Sequence, residues 1–344
     1  MLEQINILAI ETSCDETAAA IVVNGRQIKS SVVASQVQLH AKFGGVVPEI
    51  ASRAHLEKIY PVISQALAQS GLDAEQINAV AVANQPGLTV ALIVGVTAAK
   101  TLALMWNKPL IAINHVHAHL QSAMLTEDDL QLPAVAMVVS GGHTSLYNCR
   151  SPLDLKLLGA TIDDAAGEAF DKVATILNLP YPGGPNIERV AKQGDPKAVN
   201  FPRSMLGADS LDFSFSGIKT AVLYHCQGQD MKGQNRTGSM SSQEIADIAA
   251  SFQAAVVDVL VKKTARAVRS QKAKTILLGG GVAANGPLRK AFADLAESMG
   301  LKLLIAEKKH CTDNAVMIAS LAYHKFKAGI FADMKLEAKA TGTD

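Results

Sequence analysis

Ala134-Val135-Ala136-Met137-Val138-Val139-Ser140-Gly141-Gly142-His143-Thr144-Ser145-Leu146-Tyr147 reads as an apolar strand, a tight turn of small polar residues, and a second strand. Two adjacent glycines permit positive φ and close approach of the backbone to a ligand. The chain opens the same way. Ile5 to Ile10 is an apolar run that passes into Glu11-Thr12-Ser13-Cys14-Asp15-Glu16-Thr17, and Ala18 to Val23 resumes a strand that ends at the hairpin signal Asn24-Gly25. Two such hairpins, each followed by helices and strands, predict a duplicated two-lobe α/β fold with a cleft between the lobes. The boundary falls near Leu132-Pro133. A first lobe then covers 1–132, a second 133–330, and a disordered tail 331–344.

The segments after each hairpin fit this plan. Phe43-Gly44-Gly45-Val46-Val47-Pro48-Glu49 precedes a helical pattern from Ile50 to Gln69, with Arg53 and His55 near its start and an internal Pro61 that predicts a kink or break. A strand at Ala79–Ala83, a turn at Asn84-Gln85-Pro86-Gly87, a small-residue helix at Thr89–Trp106 and a strand at Leu110–Ile113 follow. In the second half, Phe213-Ser214-Phe215-Ser216-Gly217 is a strand-like run before a helix. Gln227 to Ser242 reads as a mobile polar loop, and a long helix ends near Arg269. The strand Thr275–Leu278 enters Gly279-Gly280-Gly281, and Pro287 opens the next helix. A glycine run between strand and helix suits a phosphate or nucleotide. It lacks the G-x-G-x-x-G spacing of dinucleotide-binding dehydrogenases.

Composition narrows the class. Among 344 residues 49% are apolar, 18% are charged and the formal net charge is +1, so no basic excess advertises nucleic-acid binding. One basic run, Lys262, Lys263, Arg266, Arg269, Lys272 and Lys274, suits a helix C-terminus and could equally meet a polyanion. Cys14, Cys149, Cys226 and Cys311 form no C-x-x-C pair, which predicts reduced thiols. No basic-then-apolar leader opens the chain, and no apolar run approaches the ~20 residues of a membrane helix. A cytoplasmic protein without a membrane partner is expected.

The residues richest in chemistry are His115, His117 and His119, just after the apolar run Leu110–Ile113. On a helix His115 and His119 share a face and can reach one ion, while His117 points away. A further ligand must come from far along the chain. Asp313 in His310-Cys311-Thr312-Asp313-Asn314 is a candidate at the rim of the second lobe, although a helix N-cap would also explain it. Val116 stands where the zinc-protease pattern H-E-x-x-H requires glutamate, so that chemistry is disfavoured. The acidic turn around Glu11 and Asp15 can cradle phosphate or hold a hydrated cation, or be a plain hairpin loop. Asp163, Asp164, Glu168 and Asp171 crowd a helix N-terminus. Dipole preference explains Asp163 and Asp164 better than Asp171, which lies further in.

These segments together resemble the TsaD family. The motifs are IETSCDET at 10–17, PGL at 86–88, NHVHAH at 114–119, VSGGHT at 139–144 and DDAAGEAFDK at 163–172. YPGGP at 181–185, FSFSGIKT at 213–220, GGGVAAN at 279–285 and CTDN at 311–314 complete the set. The resemblance spans roughly residues 5–328 and its spacings match the bacterial branch. It implies an actin/Hsp70-like (ASKHA) fold and transfer of a threonylcarbamoyl group from threonylcarbamoyl-AMP to N6 of adenosine 37 in tRNAs reading ANN codons. It implies one Fe2+ or Zn2+ held by His115, His119 and Asp313. Adenylate and nucleotide contacts map onto Val138, Val139, Ser140, Gly141, Gly142, Asp171, Gly184, Glu188 and Asn285. The implied partners are tRNA, the paralogue TsaB, which pairs through first-lobe helices such as Thr89–Trp106, and the ATPase TsaE. ATP or ADP is bound or used by the complex, and a homodimer is possible for the isolated chain. The donor is already activated, so no protein nucleophile is needed. The N6 amine must lose a proton, for which Asp15, Glu16 or Asp171 are candidate bases. The competing readings are a small-molecule kinase of the same superfamily, which leaves the metal trio without work, and an ATP-dependent module without catalysis.

Overall fold

The computed structural model describes residues 4–125, 130–207, 209–227 and 236–342. The chain forms two compact units, Met1–Asp128 with Ser151–Leu155 and Ala306–Asp344, and Asp129–Arg150 with Lys156–Ile305.

In the first unit β1 (Asn6–Glu11), β2 (Glu16–Val23) and β3 (Gln27–Ser35) make a meander. α1 (Val37–His40), α2 (Pro48–Ser70), β4 (Ala79–Gln85), α3 (Thr89–Trp106), β5 (Leu110–Asn114) and α4 (His115–Met124) follow. The sheet order is β3-β2-β1-β4-β5, with β1 antiparallel to β2 and parallel to β4. Both faces of the sheet are covered, which is why β1 and β4 read as continuous apolar runs. Leu8, Ile10, Val80 and Val82 pack with Val62, Ile63 and Ala66 of α2 and Val96 and Ala99 of α3. Ile7, Ala9, Ala79 and Ala81 point to the opposite face. Pro61 lies inside α2 without ending it.

The second unit repeats the plan. β6 (Ala134–Val139), β7 (Thr144–Ser151) and β8 (Asp154–Ala160) lead to α5 (Ala166–Ile176), α6 (Gly183–Ala191), α7 (Ser216–Gln227) and α8 (Ser242–Gln271). β9 (Thr275–Gly279), α9 (Gly286–Met299) and β10 (Lys302–Ile305) complete it. Its sheet order β8-β7-β6-β9-β10 corresponds strand for strand to the first, and β6 is again antiparallel to the next strand and parallel to the later one. The duplication expected from the two hairpins is present. Phe213–Phe215 is not a strand but an extended approach to α7, with one bridge from Phe213 to Thr161. Part of the Gln227–Ser242 loop, residues 228–235, lies outside the described residues.

α10 (Ala315–Lys327) returns to the first unit. The single crossing read near Leu132-Pro133 puts Asp313 in the second lobe, but the chain crosses back at Ala306. The driving force is burial. Ala315 to Ala322 are all buried, and Val316, Met317 and Ile318 join Ile7, Ala9, Ala18 and Ala20 on the open face of the first sheet. The stretch read as a disordered tail is tied to the first unit instead, with Ala332 and Leu336 packed against the cluster that holds Leu8, Val80 and Leu110. Ala332 donates to the Leu110 carbonyl at 2.8 Å and Lys339 to that of Asn84 at 2.9 Å, while Gly87 donates to Ala340 at 3.2 Å.

Two expectations from composition change in three dimensions. Lys263 is no member of a solvated basic run. It is fully buried, and its ammonium donates to the carbonyls of Met205, Ser210 and Asp212. α3 is long and apolar enough to cross a membrane by composition. Here Leu92, Val96, Ala99 and Ala103 enter the core, while Val90, Ile93, Leu104 and Met105 stay exposed.

Candidate functional site

The helix after β5, α4, begins with the first of the three histidines. It starts at His115, because the Asn114 side chain accepts from the N–H groups of Val116 and His117 at 2.9 and 3.2 Å. That cap places His115 and His119 four apart on one helix face, both buried. Asp313 stands just before α10 but does not cap it. Asn314 does, accepting from Met317 at 3.0 Å. The Asp313 carboxylate is thereby left to face the histidines, with Oδ1 at 3.4 Å from His115 Nε2 and 3.2 Å from His119 Nε2. One ligand atom from each of the three lies within 4.8 Å of the others.

The donor set fits a divalent cation. Both ring nitrogens of His119 are buried without a hydrogen-bond partner among the described residues; the Asp313 oxygen is near but poorly aligned. Such an orphaned group is costly unless a ligand satisfies it. His115 Nδ1 lies 2.9 Å from Glu11 Oε2 and 3.0 Å from Ser13 Oγ. A carboxylate only accepts, so Nδ1 carries a proton and Nε2 faces Asp313. Without a cation, burial opposes charge on His115, but Glu11 and Asp313 outweigh it and hold the imidazole well above its ordinary pKa. Burial lowers His119. Burial would raise Asp313, but the histidines hold it well below the carboxylate range. Two imidazoles and a carboxylate suit iron or zinc.

The acidic turn between β1 and β2 belongs to the same unit. Burial raises the pKa of Asp15, with the charge of Asp313 adding to it. Burial and then Asp15 push Glu16 to about 8. Its Oε1 accepts the Ser35 hydroxyl at 2.9 Å, while Oε2 is buried without a partner among the described residues. A carboxyl group titrating near neutrality is suited to proton transfer.

The remaining expected residues all lie in the second unit. Val138 and Val139 end β6 in the core. Ser140 closes the turn, its N–H donating to His143 at 2.8 Å and its hydroxyl accepting from the His143 N–H at 3.1 Å. Gly141, Gly142 and Gly184 face open space, where a Cβ would meet nothing within 4 Å. Asp171 accepts from the Gly183 N–H at 2.7 Å and so anchors the start of α6. A Cβ on Gly183 would lie 2.5 Å from the Asp171 Cα. Glu188, on α6, accepts from Gly286 N–H at 3.2 Å and Asn285 Nδ2 at 3.3 Å. Asn285 caps α9 through Leu288 at 3.0 Å. Gly280, at φ +94°, presses on the Val139 backbone, so β6, the glycine run and α6 are tied into one polar cradle.

The crowded acids divide by role. Asp163 accepts from Ser214, Phe215 and Ser216 and shapes the entry to α7. Asp164 pairs with Lys172 and Lys219, and Glu168 with Lys172. Sequence reasoning gave no role to Gln253, whose side chain receives Asn285 Nδ2 at 2.8 Å inside the core. It also missed Glu11 as the support of His115. The available signal was a lone acid ending an otherwise apolar strand.

The family model described as TsaD: tRNA N6-adenosine threonylcarbamoyltransferase matches residues 27–320. A tRNA N6-adenosine threonylcarbamoyltransferase of Moorella thermoacetica is 51% identical over 335 residues, covering 97% of this chain and 95% of that protein. Among solved structures, full-length HypF in its phosphate- and nucleotide-bound form aligns with TM-score 0.62 at 13% identity, over 95% of this chain and 47% of HypF. The ROK hexokinase of Thermus thermophilus aligns with TM-score 0.50 at 15% identity, over 95% of this chain and 100% of that one. At such identities these structures speak for the fold alone, which is the two-lobe actin/Hsp70-like architecture.

Proposed function

The chain belongs to the TsaD family of tRNA N6-adenosine threonylcarbamoyltransferases, and from that premise we propose how its residues serve the reaction. The activity is transfer of a threonylcarbamoyl group to N6 of an adenosine in tRNA. We assign threonylcarbamoyl-AMP as donor and adenosine 37 of tRNAs reading ANN codons as acceptor. One observation carries the site assignment: one ligand atom from each of three residues lies within 4.8 Å of the others, and the buried His119 ring among them has no hydrogen-bond partner among the described residues.

His115, His119 and Asp313 would hold one Fe2+ or Zn2+, which when bound supplies Lewis acidity toward a carbonyl or carboxylate of the threonylcarbamoyl group. Glu11 and Ser13 keep His115 in the tautomer that leaves Nε2 available. Gly141 and Gly142 present backbone, without Cβ hindrance, to an adenylate or to ATP or ADP, and Ser140 holds the turn that carries them. Gly184 gives similar open access, while Asp171, Glu188 and Asn285 fix the surrounding backbone. The donor is a mixed anhydride, so attack by N6 on the carbamoyl carbon expels AMP without a protein nucleophile. Glu16, supported by Asp15, accepts the proton lost by the amine.

The near-neutral charge leaves few phosphate contacts for tRNA, and a complex with a TsaB paralogue and a TsaE ATPase would add to them. The exposed Val90, Ile93, Leu104 and Met105 of α3, with Leu56 and Tyr60 of α2, offer an apolar face for the paralogue, or for a second copy when the chain is alone. A cytoplasmic location follows from a tRNA substrate.

The test combines the purified chain with TsaB, TsaE, ATP, synthetic threonylcarbamoyl-AMP and unmodified tRNA, with threonylcarbamoyladenosine read by mass spectrometry after digestion. Product with wild type and a large loss in His115→Ala are expected. Undiminished product in His115→Ala would remove the metal assignment.

A further inference from the structure

Behind the acidic turn lies a buried chain of polar side chains with a single consistent direction. Val47 N–H donates to His40 Nδ1 at 3.3 Å, so His40 Nε2 carries the proton and donates to Gln36 Oε1 at 3.1 Å. This fixes the orientation of the Gln36 amide, whose Nε2 faces the Ala51 carbonyl at 3.3 Å and His55 Nδ1 at 3.4 Å. His55 Nδ1 also accepts the Thr17 hydroxyl at 2.7 Å. His55 Nε2 lies 3.0 Å from the Cys14 carbonyl, which can only accept, so that nitrogen is the donor. His40 and His55 are fully buried and Gln36 nearly so. Burial lowers the His55 pKa, in keeping with a neutral ring that donates once and accepts once.

The ends of this chain matter. Cys14 immediately precedes Asp15 and Glu16, and Thr17 immediately follows them. His55 therefore grips the acidic turn on both sides. The Gln36 N–H adds a third hold, donating to the Asp15 carbonyl at 3.1 Å. At the other end the chain stops at Val47, behind the surface segment that carries the exposed Phe43. None of these groups belongs to the metal trio.

We propose that His55 is a positioning residue for the transfer reaction: through Cys14 and Thr17 it sets where the Asp15 and Glu16 carboxyl groups stand. The proposal rests on the assignment of Asp15 and Glu16 to proton transfer. Gln36 and His40 act behind it by holding His55 in one tautomer. Misplacing a reacting group by about 1 Å reduces turnover by roughly a hundredfold, so loss of the grip should appear in kcat rather than in tRNA affinity.

The test uses the assembled tRNA-modifying system with His55→Phe, which keeps a planar ring without hydrogen bonds, and His55→Gln, whose amide can still donate toward Cys14. Thr17→Val removes only the hydroxyl. Asp15→Asn and Glu16→Gln run beside them, with bound metal and thermal melting measured for each. The expected result is a kcat lower by roughly ten- to hundredfold in His55→Phe, with KM for tRNA and metal content unchanged, a smaller loss in Thr17→Val, and substantial recovery in His55→Gln. Equal kcat in wild type and His55→Phe would overturn the proposal, as would equal losses in His55→Phe and His55→Gln tracking a fall in melting temperature. Full activity in both Asp15→Asn and Glu16→Gln would instead overturn the proton-transfer assignment beneath it, which separates the two failures.

Discussion

Replacing Glu11 with glutamine preserves the shape of a fully buried side chain and should nevertheless impair metal binding. In the structure Oε1 accepts from the Ser13 N–H at 2.5 Å and Oε2 faces His115 Nδ1 at 2.9 Å. A glutamine has one acceptor oxygen, and the Ser13 amide claims it. The NH2 group then points at His115 Nδ1, which must give up its proton to accept. The proton moves to Nε2, the atom that faces Asp313 and His119. The substitution loses a charge-assisted hydrogen bond, about 1.5–3 kcal/mol, and blocks a ligand by tautomer reversal. Losing the carboxylate that orients a ligating histidine weakens metal sites by roughly 10–100-fold, equivalent to about 1.4–2.8 kcal/mol. Chelator competition with Zn2+ reads the affinity, and nitrogen NMR of the His115 ring reads the tautomer. A Kd within about twofold of wild type, with the Nδ1-protonated form retained, would refute the reasoning.

Three further outcomes follow from the same geometry. His119→Ala should abolish stoichiometric metal binding, read as the metal-to-protein ratio after dialysis, and should lower the melting temperature of the metal-free chain, since a fully buried ring packed against His115 is replaced by a cavity. Lys263→Met should destabilise the chain by about 1–3 kcal/mol in urea titrations, because three carbonyls lose their common donor. The Glu16 pKa is raised from 4.5 to about 8, so its protonated form is favoured by folding. Its contribution to stability is full below pH 4.5 and lost as pH rises through about 8, and Glu16→Gln should flatten that part of the metal-free melting profile.

Much of this protein is legible in the sequence because it is local. Continuous apolar runs and the turns of small polar residues between them identify β1, β2, β6 and β7, and their recurrence identifies the duplication. The four-residue spacing of His115 and His119 identifies a shared helix face, and the ordered motifs identify the family. Local patterns carry no information on which distant surfaces meet. α10 joins the first sheet because a helix buried over Ala315–Ala322 must be covered on every side, and that sheet has an open apolar face. This return brings Asp313 to the histidines. Capping by Asn314 rather than Asp313 depends on one backbone turn, and it decides that the aspartate is free to act as a ligand. Glu11, Gln36, His40 and His55 look like ordinary polar residues in the sequence, and only their burial makes each hydrogen bond obligatory. Lys263 shows the converse: a basic run in sequence is split when packing turns one of its members inward. Composition and periodicity thus determine the elements, while tertiary structure decides which polar groups lose water and must find one another, and the chemistry resides in those groups.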